Sequence, residues 1–130
     1  MDKIKLCAFF LFYAICSCTS DSTVNLGDGY TYRDEGEKTK DIYHEKPALG
    51  GEIPATIVSY DYNSNFIIAK QKPKIPQDPL YEKTYIYHKG DSVIYFWLIV
   101  KNTKKIFGPL DEKEFERLKK KYSVPNSLSL

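Results

Sequence analysis

Residues Ser92–Val100 (SVIYFWLIV) constrain the fold of this chain more than any other segment. Successive side chains of a β-strand point to opposite faces. Here both alternating sets are apolar: Val93, Tyr95, Trp97 and Ile99 on one side, Ile94, Phe96, Leu98 and Val100 on the other. Such a strand is stable only where both faces are covered, so it belongs at the centre of a sheet. The rest of the chain must supply its neighbours and its covers.

The neighbours read as hairpins. Asp28-Gly29 stands between Val24–Gly27 and Tyr30–Arg33, and Asp-Gly favours the positive φ that a tight hairpin turn needs. Ala55–Tyr62 and Phe66–Lys70 flank Asn63-Ser64-Asn65 as a second pair. Strict alternation there would put Val58, Tyr60 and Tyr62 on one face and Ile57, Ser59 and Asp61 on the other. Tyr85–His88 reads as the first arm of a hairpin with Ser92–Val100 around Lys89-Gly90-Asp91. Asn102-Thr103-Lys104 turns the chain into Lys105–Phe107. Ile42–Glu45 is a short strand candidate, Asp34–Asp41 a charged, solvated loop, and Ala48–Gly51 a turn. Prolines 73, 76 and 79 make Lys72–Pro79 a loop or edge excursion, with a spacing that suits polyproline II.

One helix is expected, at the C-terminal end. Asp111 is a good N-cap and Glu114 stands three residues later, a capping box, with Leu110 and Phe115 placed as a hydrophobic staple. Acids at 112, 114 and 116 precede lysines at 119, 120 and 121, the order that the helix dipole favours. Phe115, Leu118 and Tyr122 share a face, and Pro125 stops the run. That face would cover one side of the central strand. The fold class expected is therefore α+β and β-rich: an antiparallel sheet built from hairpins, with one C-terminal helix packed on it.

The first eighteen residues carry an address. Lys3 and Lys5 precede a ten-residue apolar run, Leu6–Ile15. A membrane-spanning helix needs about 20 such residues, so this run fits the core of a cleavable signal peptide. It ends Ile15-Cys16-Ser17-Cys18, the pattern of a bacterial lipobox, with Ile15 at −3, Ser17 at −1 and the acylated cysteine at Cys18. Acylation at Cys16 would place bulky Ile15 at −1, so the Cys18 register is the better fit. The expected organisation is a cleaved signal over 1–17, a lipidated cysteine and flexible tether over 18–23, and a single domain over 24–130. One acyl chain binds a membrane only marginally, so stable anchoring takes at least two. The lipoprotein pathway supplies a diacylglyceryl group, often joined by an amide-linked chain such as palmitate.

Cleavage would empty the body of cysteine, because the only others are Cys7 and Cys16. Disulfides and cysteine-ligated metals are then excluded. Loss of Lys3, Lys5 and Asp2 takes the formal charge from +2 to +1, too little to attract nucleic acid. No cofactor is called for: Gly-rich phosphate loops and a G-x-S-x-G setting for serine are absent. His44 and His88 are the only histidines, and they show no His-x-x-x-His spacing for a metal. The sequence names no catalytic residue and no metal ligand.

From about Gly27 onward the chain resembles a family of small lipoproteins of Bacteroidetes-type bacteria, a domain of unknown function. The likeness rests on GGEIPATIVSYDYN (50–63), FIIAKQKP (66–73), FWLIV (96–100) and GPLDEKEF (108–115). It implies secretion, lipidation and one β-rich domain, and it carries no functional residue over. A shorter stretch, from Trp97 through Gly108-Pro109-Leu110 to Glu114-Phe115, is similar to bacterial GYF-like modules, which bind proline-rich peptides in aromatic grooves.

The functional expectation is a lipid-anchored cell-envelope protein with a non-enzymatic binding or scaffolding domain. Its candidate contact residues are the aromatics Tyr30, Tyr32, Tyr60, Tyr62 and Trp97, which would stack on a glycan or peptide. Lys70, Lys72 and Lys74 are candidates for anionic headgroups. An inhibitor or immunity-type lipoprotein, plugging an envelope-attacking enzyme with Lys72–Pro79, is the first alternative. A small hydrolase or metal-dependent enzyme built on His44 or His88 is the second. Thr19 rather than Asp after the cysteine suits delivery to the outer membrane, and the single acid Asp21 suits a periplasm-facing position over the cell surface.

Overall fold

The structure, a computed structural model, describes residues 22–36, 39–46 and 52–130. The signal segment, Cys18 and the turn expected at Ala48–Gly51 lie outside the described residues. The strands are β1 (Ser22–Gly27), β2 (Tyr30–Asp34), β3 (Lys40–His44), β4 (Ile57–Tyr62), β5 (Phe66–Gln71), β6 (Tyr95–Val100) and β7 (Lys105–Leu110). One helix, α1 (Glu112–Lys121), follows them. This is the α+β, β-rich architecture expected, with the strands divided between two antiparallel sheets. One has the order β1-β2-β3 and the other β4-β5-β6-β7.

The four-stranded sheet is the middle layer. Its β6 is an inner strand, paired with β5 on one side and β7 on the other. Trp97 and Ile99 face the small sheet and pack with Leu26, Tyr30, Ile42, Ile53, Ile57, Ile67 and Ala69. Leu98 and Val100 face the helix and pack with Ile68, Phe115, Leu118, Val124 and Leu128. Each fully buried side chain of this size is worth roughly 1.5–3 kcal/mol, and β6 contributes such residues to both cores. The two-sided strand thus has its two covers.

The helix begins as its sequence implies. Asp111 Oδ1 accepts from the Glu114 amide at 2.8 Å, and Glu114 Oε1 accepts from the Asp111 amide at 3.2 Å. It ends where Ser123 takes φ 57° and the Val124 amide reaches back to Lys119 O at 2.9 Å.

Four expectations need correction. Tyr85–His88 forms no strand, because its tyrosines turn inward to bond side chains and carbonyls instead of pairing a neighbouring backbone. Asp41 belongs to β3 rather than to a solvated loop and is buried, held there by an arginine. Ser22 and Thr23, expected in the tether, already pair with Asp34 and Arg33. A register shift between Ile57 and Ser59 breaks the alternation of β4 at exposed Val58. Ile57 and Tyr60 therefore pack on the same core.

Candidate binding surface

The two sheets run roughly alongside each other, which gives the domain two distinct ends. At one end the pairings Ser22↔Asp34 and Asp34↔Lys40 close the small sheet. The Lys40 amide donates to Thr56 Oγ1 at 3.4 Å, and Thr56 and Lys72 exchange backbone bonds at 3.1 and 3.0 Å. We call this the Ser22 end. At the other end stand the turns at Asp28-Gly29, Asn63–Asn65 and Lys101–Lys104.

The Ser22 end is organised by Asp41, which is only 2% exposed. Arg33 forks onto it, Nε to Oδ1 at 3.1 Å and Nη2 to Oδ2 at 2.7 Å, a bidentate charge-assisted pair. The Tyr81 hydroxyl donates to Oδ2 at 2.7 Å and accepts the Ala55 amide at 3.1 Å. Burial, reinforced by that bond, holds the Tyr81 phenol well above its usual range. A cleft of about 200 Å³ opens beside this network, between Arg33, Asp41 and Glu52 on one wall and Lys74, Gln77 and Leu80 on the other.

Tyr81 belongs to the long connection over 72–94, which has no regular structure. Tyrosines pin it from within. The Tyr85 hydroxyl donates to Glu52 O at 3.4 Å while its ring meets Trp97 edge-on at 4.9 Å. Gln71 Nε2 donates to the Tyr87 hydroxyl and to Pro54 O, both at 2.9 Å, and Gln71 Oε1 takes the Trp97 Nε1–H at 2.7 Å. The Tyr95 hydroxyl closes the turn, accepting from the Lys89 amide at 2.8 Å and donating to Gly90 O at 2.9 Å. Long ordered loops of this kind are usually functional. Outward, this one shows Ile75, Leu80, Ile86 and Ile94 to solvent.

The opposite end is held by a buried cation. Lys101, 2% exposed, donates from Nζ to Leu26 O in the small sheet and to Asn63 O at 2.6 Å in the β4–β5 turn. Burial lowers its pKa, and Asp28 pulls it partly back. Its ammonium also lies 5.5 Å from the Tyr62 ring centroid. Asn25, Asp28, Tyr62, Asn63, Ser64 and Lys101 line an open depression here.

Of the five aromatic candidates, the structure brings three together. Tyr32 of the small sheet stacks on Tyr60 at 4.3 Å, and Tyr60 on Tyr62 at 6.4 Å. Tyr62, 38% exposed, ends the stack at the rim of the depression. Tyr30 and Trp97 are fully buried and present no face to a ligand. The Tyr30 hydroxyl is the one buried side-chain polar atom without a partner among the described residues.

His44 is spent on the fold. Its Nδ1 accepts the Lys46 amide at 2.9 Å, so the proton sits on Nε2, which donates to Asp28 O at 3.0 Å. His88 is exposed in the loop. Among the described residues no group of three or more His, Cys, Asp or Glu stands close enough to hold a metal. No described helix is long and apolar enough to cross a membrane. Lys70, Lys72 and Lys74 gather near the Ser22 end, with Lys72 and Lys74 lining a groove beside Ile75.

Sequence reasoning missed Arg33, Asp41, Tyr81 and Lys101. Only the alternation Arg33-x-Glu35 and Lys40-Asp41 hinted at charge pairing, and nothing local marks Lys101 as buried.

Fold and site together define a small three-layer β-rich domain whose buried polar residues are bonded within its own scaffold and whose exposed large hydrophobic side chains, among the described residues, are Tyr62 and five aliphatic residues. The chain belongs to the family described as "Protein of unknown function (DUF3997)", whose model matches residues 28–130. No curated protein and no solved structure matches it.

Proposed function

We infer that the protein is a lipid-anchored component of the bacterial cell envelope, cleaved before Cys18, whose domain acts as a non-enzymatic binding module. The anchoring half of this reading rests on the lipobox, Ile15-Cys16-Ser17-Cys18 behind a ten-residue apolar run. Thr19 after the cysteine favours the outer membrane, in a periplasm-facing position, and the likeness to Bacteroidetes-type lipoproteins supports that address.

One observation carries the binding half. Asp41, His44, Gln71 and Lys101 are committed to hydrogen bonds inside the fold, whereas the Tyr32–Tyr60–Tyr62 stack runs out to an exposed ring. Around that ring stand Asn25, Asp28, Asn63 and Ser64. The Asn25 and Asn63 Oδ1 atoms are bonded to backbone amides of the turns, which leaves the two side-chain NH2 groups and the Ser64 hydroxyl as donors and the Asp28 carboxylate as an acceptor. A stacking face beside such a rim suits a glycan or an extended peptide.

Palmitate labelling of cells tests the anchor: wild type should be marked and Cys18→Ala spared. Crosslinked pull-down from intact envelopes tests the module. A partner should be recovered with wild type and lost with Tyr62→Ala, a substitution at an exposed site. Labelling that persists in Cys18→Ala refutes the anchor, and equal recovery with Tyr62→Ala refutes the aromatic site.

A further inference from the structure

The exposed apolar side chains are segregated. Six large ones are exposed among the described residues, and five of them, Val58, Ile75, Leu80, Ile86 and Ile94, belong to the Ser22 end or to the loop pinned there. Tyr62 alone stands at the other end. Leu80 is 88% exposed and Ile86 72%, on a loop whose inward tyrosines hold its backbone in place. Among the described residues the fold buries or half-buries its other large aliphatic side chains and leaves these five exposed at one end, and exposed apolar side chains gathered at one end mark a contact surface.

Two further observations say what the contact is. The first is where the chain leaves the domain. Ser22, the first residue of β1, is joined through Asp34, Lys40 and Thr56 to Lys72 by successive backbone pairings and hydrogen bonds. The loop therefore sits at the end from which the chain runs back towards Cys18. Four residue steps separate Ser22 from Cys18 and span at most about 14 Å. The second is the charge along the loop. Lys70, Lys72, Lys74, Lys83 and Lys89 outnumber Asp78, Glu82 and Asp91 over 70–94, while the scaffold adds Glu35, Asp41 and Glu52 in the cleft that Leu80 lines and Asp111 and Glu112 beside Ile94. Lysines beside exposed aliphatic side chains can lay their stems on an apolar layer and keep their ammonium groups at phosphate level.

We propose that the Ser22 end, through Leu80, Ile75, Ile86 and Ile94 with the lysines around them, docks on the phospholipid surface in which the chain is anchored. This rests on the lipid-anchor reading above. The aliphatic groups enter the headgroup layer, and Lys72 and Lys74 meet lipid phosphates. The domain then stands on the membrane in one orientation, with the Tyr62 depression facing away from it.

The test uses the acylated protein, produced from the full chain and reconstituted into vesicles of phosphatidylglycerol and phosphatidylcholine with brominated acyl chains. Wild type has one tryptophan, the buried Trp97, as an internal reference. Leu80→Trp adds a reporter on the loop and Asn102→Trp one in the exposed turn at the opposite end. We expect bromolipid to quench the Leu80→Trp emission by at least half and to leave Asn102→Trp near the wild-type level. Lys72→Glu with Lys74→Glu should reverse most of that quenching. Equal quenching at both reporters, or none at either, in a protein that carries its lipid overturns the docking alone. A Leu80→Trp signal shielded from aqueous acrylamide without bromolipid quenching means that protein covers this face, and also overturns it. A chain that takes up no palmitate overturns the anchor, and the docking with it.

Discussion

Gly108 lies so close to the six-membered ring of Trp97 that a Cβ on residue 108 would fall 2.3 Å from two ring carbons. The indole cannot retreat freely. Its Nε1–H is bonded to Gln71, and Tyr85 meets it edge-on. Gly108→Ala should therefore cost about 3 kcal/mol, at the upper end of overpacking effects. Urea unfolding checks this, as a lower midpoint with an unchanged slope. A midpoint within error of wild type would mean that the ring has room to move.

Asp41→Asn should loosen the long loop before it loosens the rest. The carboxylate holds both Arg33 and Tyr81, and removing its charge leaves a guanidinium facing a neutral amide. Breaking a buried pair costs roughly 3–5 kcal/mol. The Arg33 side chain keeps 36% of its exposure, so a loss of about 2 kcal/mol is the better expectation. Hydrogen exchange should rise at the Ala55 amide and across 72–94 while the Lys101 corner stays protected. Uniform exchange everywhere would show that the network supports the whole fold and not the loop in particular.

How far this architecture was legible in the sequence depends on how local its signals are. The inner strand β6 could be read because both of its alternating sets are apolar. The helix start could be read because its cap is contained in four residues. The loop misled because Tyr85 and Tyr87 alternate with polar or exposed neighbours just as a strand would, although their hydroxyls bond to Glu52 O and Gln71. The division into two sheets depends on contacts far apart in the chain, such as Lys101 with Leu26. Nothing near Lys101 in sequence distinguishes it from Lys104 or Lys105. The Tyr62 rim was foreshadowed by the tyrosine pattern of β4, but the bulge at Val58 decided which residues share its face.

Tyr30 and Tyr81 should respond in opposite directions to loss of the hydroxyl. The Tyr30 hydroxyl is buried with no partner, so Tyr30→Phe should raise stability by about 1 kcal/mol. The Tyr81 hydroxyl makes two bonds, and Tyr81→Phe should lower stability by about 1–2 kcal/mol. Thermal melts of the two variants side by side make the comparison. A destabilised Tyr30→Phe would reveal a partner, such as an ordered water, for that oxygen.

Alkaline pH should first strengthen and then undermine the fold. Burial lowers the Lys101 pKa, so between its folded value and 10.5 the unfolded chain binds more protons, and stability rises with pH. Burial raises Tyr30, Tyr32, Tyr60, Tyr81, Tyr85 and Tyr87 above 10, so their contribution is complete below pH 10 and is lost above it. Tyr85, pushed up to about 12, would alone account for something of order 2 kcal/mol by that pH, after a discount for solvent at its edge. Denaturant midpoints measured from pH 8 to 12 should peak at about pH 10 and then fall steeply. Tyr85→Phe should make the fall shallower, and an unchanged slope would exclude Tyr85 as a contributor.

Lys101→Met asks whether the far corner needs a cation or only a long side chain. Methionine can fill much of the space of the lysine stem, but it leaves Leu26 O and Asn63 O without the donor that joins them across the two sheets. Each buried carbonyl left unpaired costs about 1–3 kcal/mol. Part of that is returned because no ammonium has to be desolvated. The balance should be a loss of about 2 kcal/mol, with faster exchange in the turns at Asp28-Gly29 and Asn63–Asn65 and little change in the loop. The alkaline rise should vanish in the same variant, because Lys101 is the group that produces it. A variant as stable as wild type would show that desolvation cancels the two bonds, and that the sheets are held together here by packing alone.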